Sequence, residues 1–379
     1  MKILKSLRFL FIIGNVLLTF RNLSFISRRK RYFIYIVILF DILLSIINII
    51  VCIHFKIYYR IADVLFVNFL LFNSMVFIIL SCYHAEKFKD MLKFLESNNN
   101  FIDEDNIYLK NFGRKKIMLK VAMITYLAIK LIFPIFYSRH KSLTISLPYF
   151  VYVVLKLNSM WWDFRFVFEY MLISALLYVF SEQLECIIRS VVKHKRFVAV
   201  NFQLSNTNLD NEFVCNQYVE KISEWFQALT NLTEAIKLFN TIFGLQLAVM
   251  LITGTFYVSL FLYDIAAFSV KHNYGNIIIV SYAIRLVITL LVVLVLSRAG
   301  QRLHNNVKHL RRRIGKIYIL SLVDEKFYTA TKDILEYISC DQMRIQAFGS
   351  IEVDMRLPPT FIMLFTSYTI LALQFNNVL

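Results

Sequence analysis

The chain closes with a run, residues 357–379 (LPPTFIMLFTSYTILALQFNNVL), that holds no charged residue. About 20 apolar residues in a helix cross the hydrocarbon core of a bilayer, so this run restricts the fold more than any other stretch. Its polar residues are ordered. Thr360, Ser367 and Gln374 recur at every seventh position, which places them on one helical face. A helix that is apolar all round except for one polar stripe has something other than lipid beside that stripe. The neighbour is either another helix or water in a pore.

The rest of the chain agrees. Its 379 residues are 58% hydrophobic, with mean hydropathy +0.60 and 36 Phe, too apolar for a soluble surface. The expected fold is an all-α membrane protein with seven transmembrane helices. The spans fall near 32–55, 61–82, 117–137, 147–180, 238–267, 277–297 and 357–379. Ahead of them, Lys2, Lys5 and Arg8 lead into an apolar run at 9–20, followed by Arg28-Arg29-Lys30-Arg31 instead of a small-residue cleavage site. That run is short for a span and reads as an interfacial or re-entrant helix, with an extra span as the alternative.

Orientation follows from where the positive charge lies. Of the 42 Lys and Arg, 32 fall in residues 1–31, 83–116, 181–237 and 298–356, and five fall in the alternate loops. The N-terminus is therefore expected in the cytoplasm and the C-terminus outside. The net charge of +17 is accounted for by these loops and needs no nucleic-acid partner. The chain divides into a cytoplasmic N-terminal segment with its interfacial helix (1–31), helices one to four (32–180) and a cytoplasmic helical extension (181–237). Helices five and six (238–297), a second cytoplasmic helical segment (298–356) and the last helix (357–379) follow. Two sequons, at Asn22 and Asn231, fall on the cytoplasmic side. The five cysteines show no CxxC spacing. An inverted orientation argues against a G-protein-coupled receptor. So does the lack of an acidic-Arg-Tyr ending on the third span and of an Asn-Pro-x-x-Tyr near the end of the seventh.

The cytoplasmic segments carry their own pattern. Tyr218, Ile222, Trp225, Leu229, Leu232 and Ile236 are spaced by alternating fours and threes, the seam of a helix packed along another. Residues 300–345 are basic first and then form a mixed-charge helix, expected from Asp324 to Arg344. Together these extensions imply an anchor bundle beneath the membrane.

No Walker loop, GxGxxG, HExxH or nucleophile elbow is present, and the chain does not read as an enzyme; no catalytic residue, metal site or cofactor is expected. The charged residues within spans, Asp41, Lys130, Asp163, Arg165, Glu169 and Arg285, must face protein or water. Arg165 and Glu169 are four apart and can pair on one helix. Trp161, Trp162 and Asp163, with Tyr149, Tyr152 and Asn158, supply the aromatic wall with a few placed polar groups that a small-molecule pocket needs. Ser281, Tyr282 and Arg285 on the sixth span are similar candidates. Ordinary packing is the competing explanation for each, because aromatics make up 16% of the chain.

The C-terminal motif carries a resemblance. Ser367-Tyr368, five apolar or small residues and then Gln374-Phe375 resemble the Thr-Tyr-x5-Gln-Phe signature that ends insect gustatory receptors, with Ser in place of Thr. Gly349 in Ala347-Phe348-Gly349, with Asp354 after Val353, resembles the stretch that leads into the last helix of that family. The resemblance implies a tastant-gated, non-selective cation channel of the sensory-neuron plasma membrane. It would be a homo- or hetero-tetramer with related receptors, with Gln374 and Phe375 bordering the pore. The short chain favours a bitter or other non-sugar ligand. The residues fit such a role: Leu371 and Phe375 can form an apolar ring that resists wetting, while Ser367 and Gln374 offer polar groups to ions. Tyr368 and Thr369 would face neighbouring helices. The expected partners are a small-molecule tastant and membrane lipid. A seven-span receptor acting through a cytosolic partner and a small-molecule transporter are the rival readings.

Overall fold

The computed structural model describes residues 10–15, 28–54, 61–98, 147–204, 208–271, 276–323, 325–339 and 343–375. The third expected span, 117–137, lies outside the described residues, as do the side chains of Asp41, Tyr149, Tyr152, Asn158, Ser281, Tyr282, Arg285 and Phe375. The elements are α1 (Arg28–His54), α2 (Ile61–Tyr83), α3 (Ala85–Ser97), α4 (Leu147–Leu204), α5 (Asn208–Lys271) and α6 (Asn276–Leu320). A 3-10 turn, α7 (Glu325–Ser339), strands β1 (Gln346–Ala347) and β2 (Ile351–Glu352), and α8 (Leu357–Phe375) complete the chain. The fold is nearly all helical, as expected. Among the described residues, Trp161–His194, Val219–Tyr263, Leu286–Leu320 and Leu357–Gln374 are long and apolar enough to cross a membrane.

Three of the helices are much longer than a bilayer requires. With 58, 64 and 45 residues, α4, α5 and α6 run for roughly 87, 96 and 68 Å at 1.5 Å per residue. Their sequences permit this. The prolines of described helices, Pro148, Pro358 and Pro359, sit in first turns, where a missing N–H breaks no intrahelical bond. The apolar stretch of each rod continues into a heptad-like stretch without a breaker.

The seam read from the sequence is a packing face. Ile222, Trp225, Leu229, Leu232 and Ile236 are all buried. The Trp225 indole N–H donates to Ser190 Oγ of α4 at 3.0 Å. Leu176, Phe180 and Leu184 of α4 and Leu296, Ala299 and Leu303 of α6 close the same core. The short α3 is fastened beside it. Asn98, just past its end, donates to the Ala228 carbonyl of α5, and Gln183 of α4 donates to the Leu95 carbonyl. Residues 10–15 are helical, and Phe11 meets Phe88 of α3 edge to face at 6.0 Å.

The membrane end is held differently. Large apolar side chains on α1, among them Tyr32, Ile36, Phe40 and Ile47, are exposed, as they are where lipid is the solvent. Polar pairs tie the inner helices together. Asn73 of α2 donates to Thr253 Oγ1 of α5 at 2.7 Å. Arg165 and Glu169 of α4 are fully buried and reach other helices: Arg165 donates to Ser74 Oγ of α2, and Gln246 of α5 donates to Glu169 at 2.8 Å.

The expected helix from Asp324 to Arg344 stops at Ser339, and a hairpin follows. Phe348 and Gly349 both have positive φ (51° and 70°), which a tight primed turn between two strands needs and which glycine adopts without strain. The hairpin is clamped to α5: Asn240 donates to the Arg344 carbonyl and accepts from the Gln346 N–H, and the Phe348 N–H donates to the Gly244 carbonyl. On its other side, a Cβ on Gly300 of α6 would lie 1.9 Å from the Val353 carbonyl oxygen. Only glycine lets the two backbones come this close.

Candidate functional site

The hairpin delivers the chain into α8. Asp354 shapes the entry, its carboxylate accepting from the Arg356 N–H at 2.8 Å and its carbonyl from the Leu357 N–H at 3.1 Å. A carboxylate beside the positive end of the helix dipole also favours helix initiation here. Gly349 and Asp354, the two upstream motif residues, thus have local structural work: one turns the hairpin and the other starts the helix.

On α8 every fourth residue, Leu357, Phe361, Phe365, Thr369 and Leu373, is buried against the chain itself. Thr360, Ser367 and Gln374 are exposed. At 100° per residue the two stripes lie on nearly opposite sides of the helix. Leu371, 50% exposed, lies next to the polar stripe. Only 28% of this span is buried among the described residues, against 78% of the apolar window within Trp161–His194, so they leave most of its surface uncovered. The hydroxyls of Thr360 and Ser367 donate to the carbonyls of Arg356 and Met363 at 2.9 Å, one turn back. That internal satisfaction leaves Gln374 as the most polar group of the stripe. Thr369 faces inward, as expected, while Tyr368 is 56% exposed on the chain's own surface.

The aromatic wall sits on α4, and the structure extends it. Trp162 is buried, whereas Trp161 and Asp163 are half-buried. One turn on, the ring of Phe166 meets Tyr170 at 5.1 Å, Tyr257 of α5 at 5.5 Å and Phe77 of α2 at 6.4 Å. Among the described residues neither the Trp162 indole N–H nor the Tyr170 hydroxyl meets a hydrogen-bond partner, though both are buried. Buried polar groups left unmatched are costly and mark places where a ligand or water can supply the missing partner.

The wall reaches α8. A Cβ on Gly254 of α5 would lie 3.3 Å from the Phe361 ring and 3.5 Å from the Tyr170 hydroxyl, so this glycine is where the three elements meet. Ser259 of α5, one turn further on, approaches the Phe365 carbonyl at 3.4 Å. Tyr170, Gly254 and Tyr257 had no sequence signal as site residues, because no spacing or motif links them and they meet only where α5 packs on α4. Asn73 and Thr253 could have been found together as polar residues in separate spans that need a partner.

These features define an all-α membrane protein whose long rods continue beyond the bilayer and whose last helix leaves its polar stripe uncovered by the described residues. No protein-family model and no curated protein matches the sequence. Solved structures of the same fold exist. The chain is similar to the insect olfactory receptor OR5 from Machilis hrabei, with a TM-score of 0.66 and 11% identity over 97% of this chain and 98% of that one. The same receptor in complex with eugenol superimposes with a TM-score of 0.60 at 12% identity, again over 97% and 98% of the two chains.

Proposed function

We propose that the chain is a subunit of a ligand-gated, non-selective cation channel of chemoreceptor type in the plasma membrane, of the gustatory kind, tuned to a bitter or other non-sugar small molecule. The observation that carries this reading is α8, little enclosed by the described residues, with its polar stripe turned away from them. Such a helix is completed by copies of itself around a pore, which favours a tetramer, homomeric or built with related receptors. Residues 181–237 and 298–356 form the cytoplasmic anchor that holds the subunits in register.

In this reading Leu371 and Phe375 close the pore by excluding water, and Gln374 offers the polar surface for ions, with Ser367 a weaker contributor. The ligand enters the wall of Trp161, Trp162 and Asp163, with Tyr152, Asn158, Tyr282 and Arg285 as its further proposed contacts. The Trp162 N–H and Tyr170 hydroxyl are ready to bond to it. A neighbour of this fold holds eugenol, a small aromatic phenol, which suits the same chemistry. Ligand binding opens the channel only to the extent that it binds the open arrangement more tightly than the closed one. Tyr170 and Phe361 both border Gly254, which gives the pocket a short route to α8.

Current recorded from the purified chain in a planar bilayer tests the proposal. Ligand-evoked cation current is expected. Phe375→Ala should raise leak without ligand, and Gln374→Ala should change conductance or cation preference more than ligand sensitivity. Trp162→Ala should shift the half-activating concentration with surface expression intact. A purified chain that carries no current, or variants at 374 and 375 that reach the surface and conduct as wild type, would overturn the pore assignment.

A further inference from the structure

The hairpin that hands the chain to α8 carries an aromatic side chain where the turn itself has no use for one. Phe348 stands at its tip with a φ of 51°, a left-handed conformation that strains a bulky residue and that Asn or Gly would adopt more easily. It is also 69% exposed, and Ile351, the first residue of β2, is 44% exposed. A strained backbone and a bare ring thus fall on the same residue. Docking does not need the ring either. The contact with the Gly244 carbonyl of α5 is made by the Phe348 backbone N–H, which any residue but proline would supply.

Three helices fix the depth of the tip. After Lys237, α5 holds no charged residue until Asp264. The base of the hairpin bonds to α5 at Asn240 and the tip at Gly244, one helical turn further into that uncharged run. From Lys237 to Gly244 is about 10 Å at 1.5 Å per residue. On α6 the apolar run ends at Arg298, and Val353, at the base of the hairpin, packs on Gly300 just beyond it. The uncharged run of α8 starts at Leu357, directly after Arg356. The base is therefore level with the last charges of three apolar helices, and the tip points inward from there. Apolar faces of interfacial segments are buried to a similar depth, roughly 5–10 Å. The hairpin's own charges are sorted to match. Residues 345–351 hold none, whereas Arg344 pairs with Glu352 and Arg356 with Asp354 at the base.

We propose that the hairpin tip docks on lipid: Phe348, with Ile351 beside it, inserts between the headgroups and acyl chains of the adjoining leaflet and holds the base of α8 at that depth. A second copy of the chain is the other occupant to weigh. The tip is a convex loop from Phe348 to Ile351, far short of the roughly 800 Å² per partner that a stable protein interface takes. A lipid surface needs no complementary shape and accepts a single protruding ring. The inference uses the membrane placement of α5, α6 and α8, but neither their orientation nor the pore.

The test places the photoreactive residue p-benzoylphenylalanine at one position at a time in the purified full chain, held in phosphatidylcholine nanodiscs. Adducts formed on irradiation are read by intact-protein mass spectrometry. The variant at Phe348 is expected to gain the mass of one phosphatidylcholine. So is the variant at Ile252, 65% exposed in the uncharged run of α5. Ile319, 67% exposed and 19 residues past Gly300 on α6, should gain none. If the chain altered at Phe348 does not fold, the same substitution at Ile351 carries the comparison. A lipid adduct at Ile252 without one at Phe348 strikes the docking alone, whereas its absence from both strikes the membrane placement of α5 as well. A lipid yield at Phe348 no higher than at Ile319, or a chain-to-chain cross-link in place of the lipid adduct, overturns the proposal.

Discussion

Glycine gives the clearest case in which one atom decides an outcome. On α6, Gly300 faces the Val353 carbonyl with no room for a Cβ, whereas a Cβ on Gly315, in the same helix, would meet nothing within 4 Å. Alanine should therefore act with opposite sign at the two positions. Gly300→Ala must push the hairpin off α6 and should cost about 1–3 kcal/mol. Gly315→Ala should stabilise by up to about 1 kcal/mol through helix propensity alone. Thermal midpoints of the two purified variants, measured in one detergent, check this; a neutral Gly300→Ala would mean that the hairpin does not dock as described. Sequence shows both as glycines inside a helix and cannot tell them apart. The requirement at Gly300 comes from a carbonyl 53 residues further along, which no local pattern encodes. Gly349 was legible, through the motif it belongs to, and its positive φ gives the physical reason.

Between helices, buried polar pairs are the specific fasteners, because lipid-exposed helices have little hydrophobic drive to associate. The Asn73–Thr253 bond joins α2 to α5. A double-mutant cycle with Asn73→Leu and Thr253→Val should return a coupling of about 0.6–1.7 kcal/mol in unfolding free energy. Additive single effects would show that the pair contributes nothing. At this scale the seam of α5 was readable in advance, since a period of 3.5 survives whatever the partner helix is. The hairpin was not. Its strands are two residues each, too short for any alternation to register, and the mixed charges of 324–344 suit a helix equally well. The aromatic wall was half-legible: Trp161, Trp162 and Asp163 stand out as a cluster, but Tyr170 enters only because the helix turns it toward Gly254.

For the molecule as a whole, charge says more than shape. The uneven split of Lys and Arg between alternate loops predicts that a C-terminal epitope is labelled on intact cells and an N-terminal one only after permeabilisation. The reverse labelling would revive a receptor coupled to a cytosolic partner. The overall class could be read because bilayer thickness fixes the length of an apolar run. The assembly could not, because the stripe of α8 looks the same in a sequence whether a neighbouring helix or water faces it. Cysteine introduced at Leu371, exposed within the single chain, should cross-link adjacent subunits under mild oxidation if α8 lines a shared axis. Only monomer on a non-reducing gel would argue against that placement.

The sequon at Asn231 bears on how such a chain is made. Inside α5, Asn231 donates to Asn98 at 3.3 Å, and the Thr233 hydroxyl is buried against the Leu229 carbonyl. A sugar at this position cannot coexist with the closed bundle. In the orientation proposed above, the basic segments 1–31 and 83–116, which leave the ribosome before residue 231 does, are held on the cytoplasmic side. A molecule inserted backwards would offer Asn231 to the lumenal transferase and be marked with a glycan that blocks its own folding.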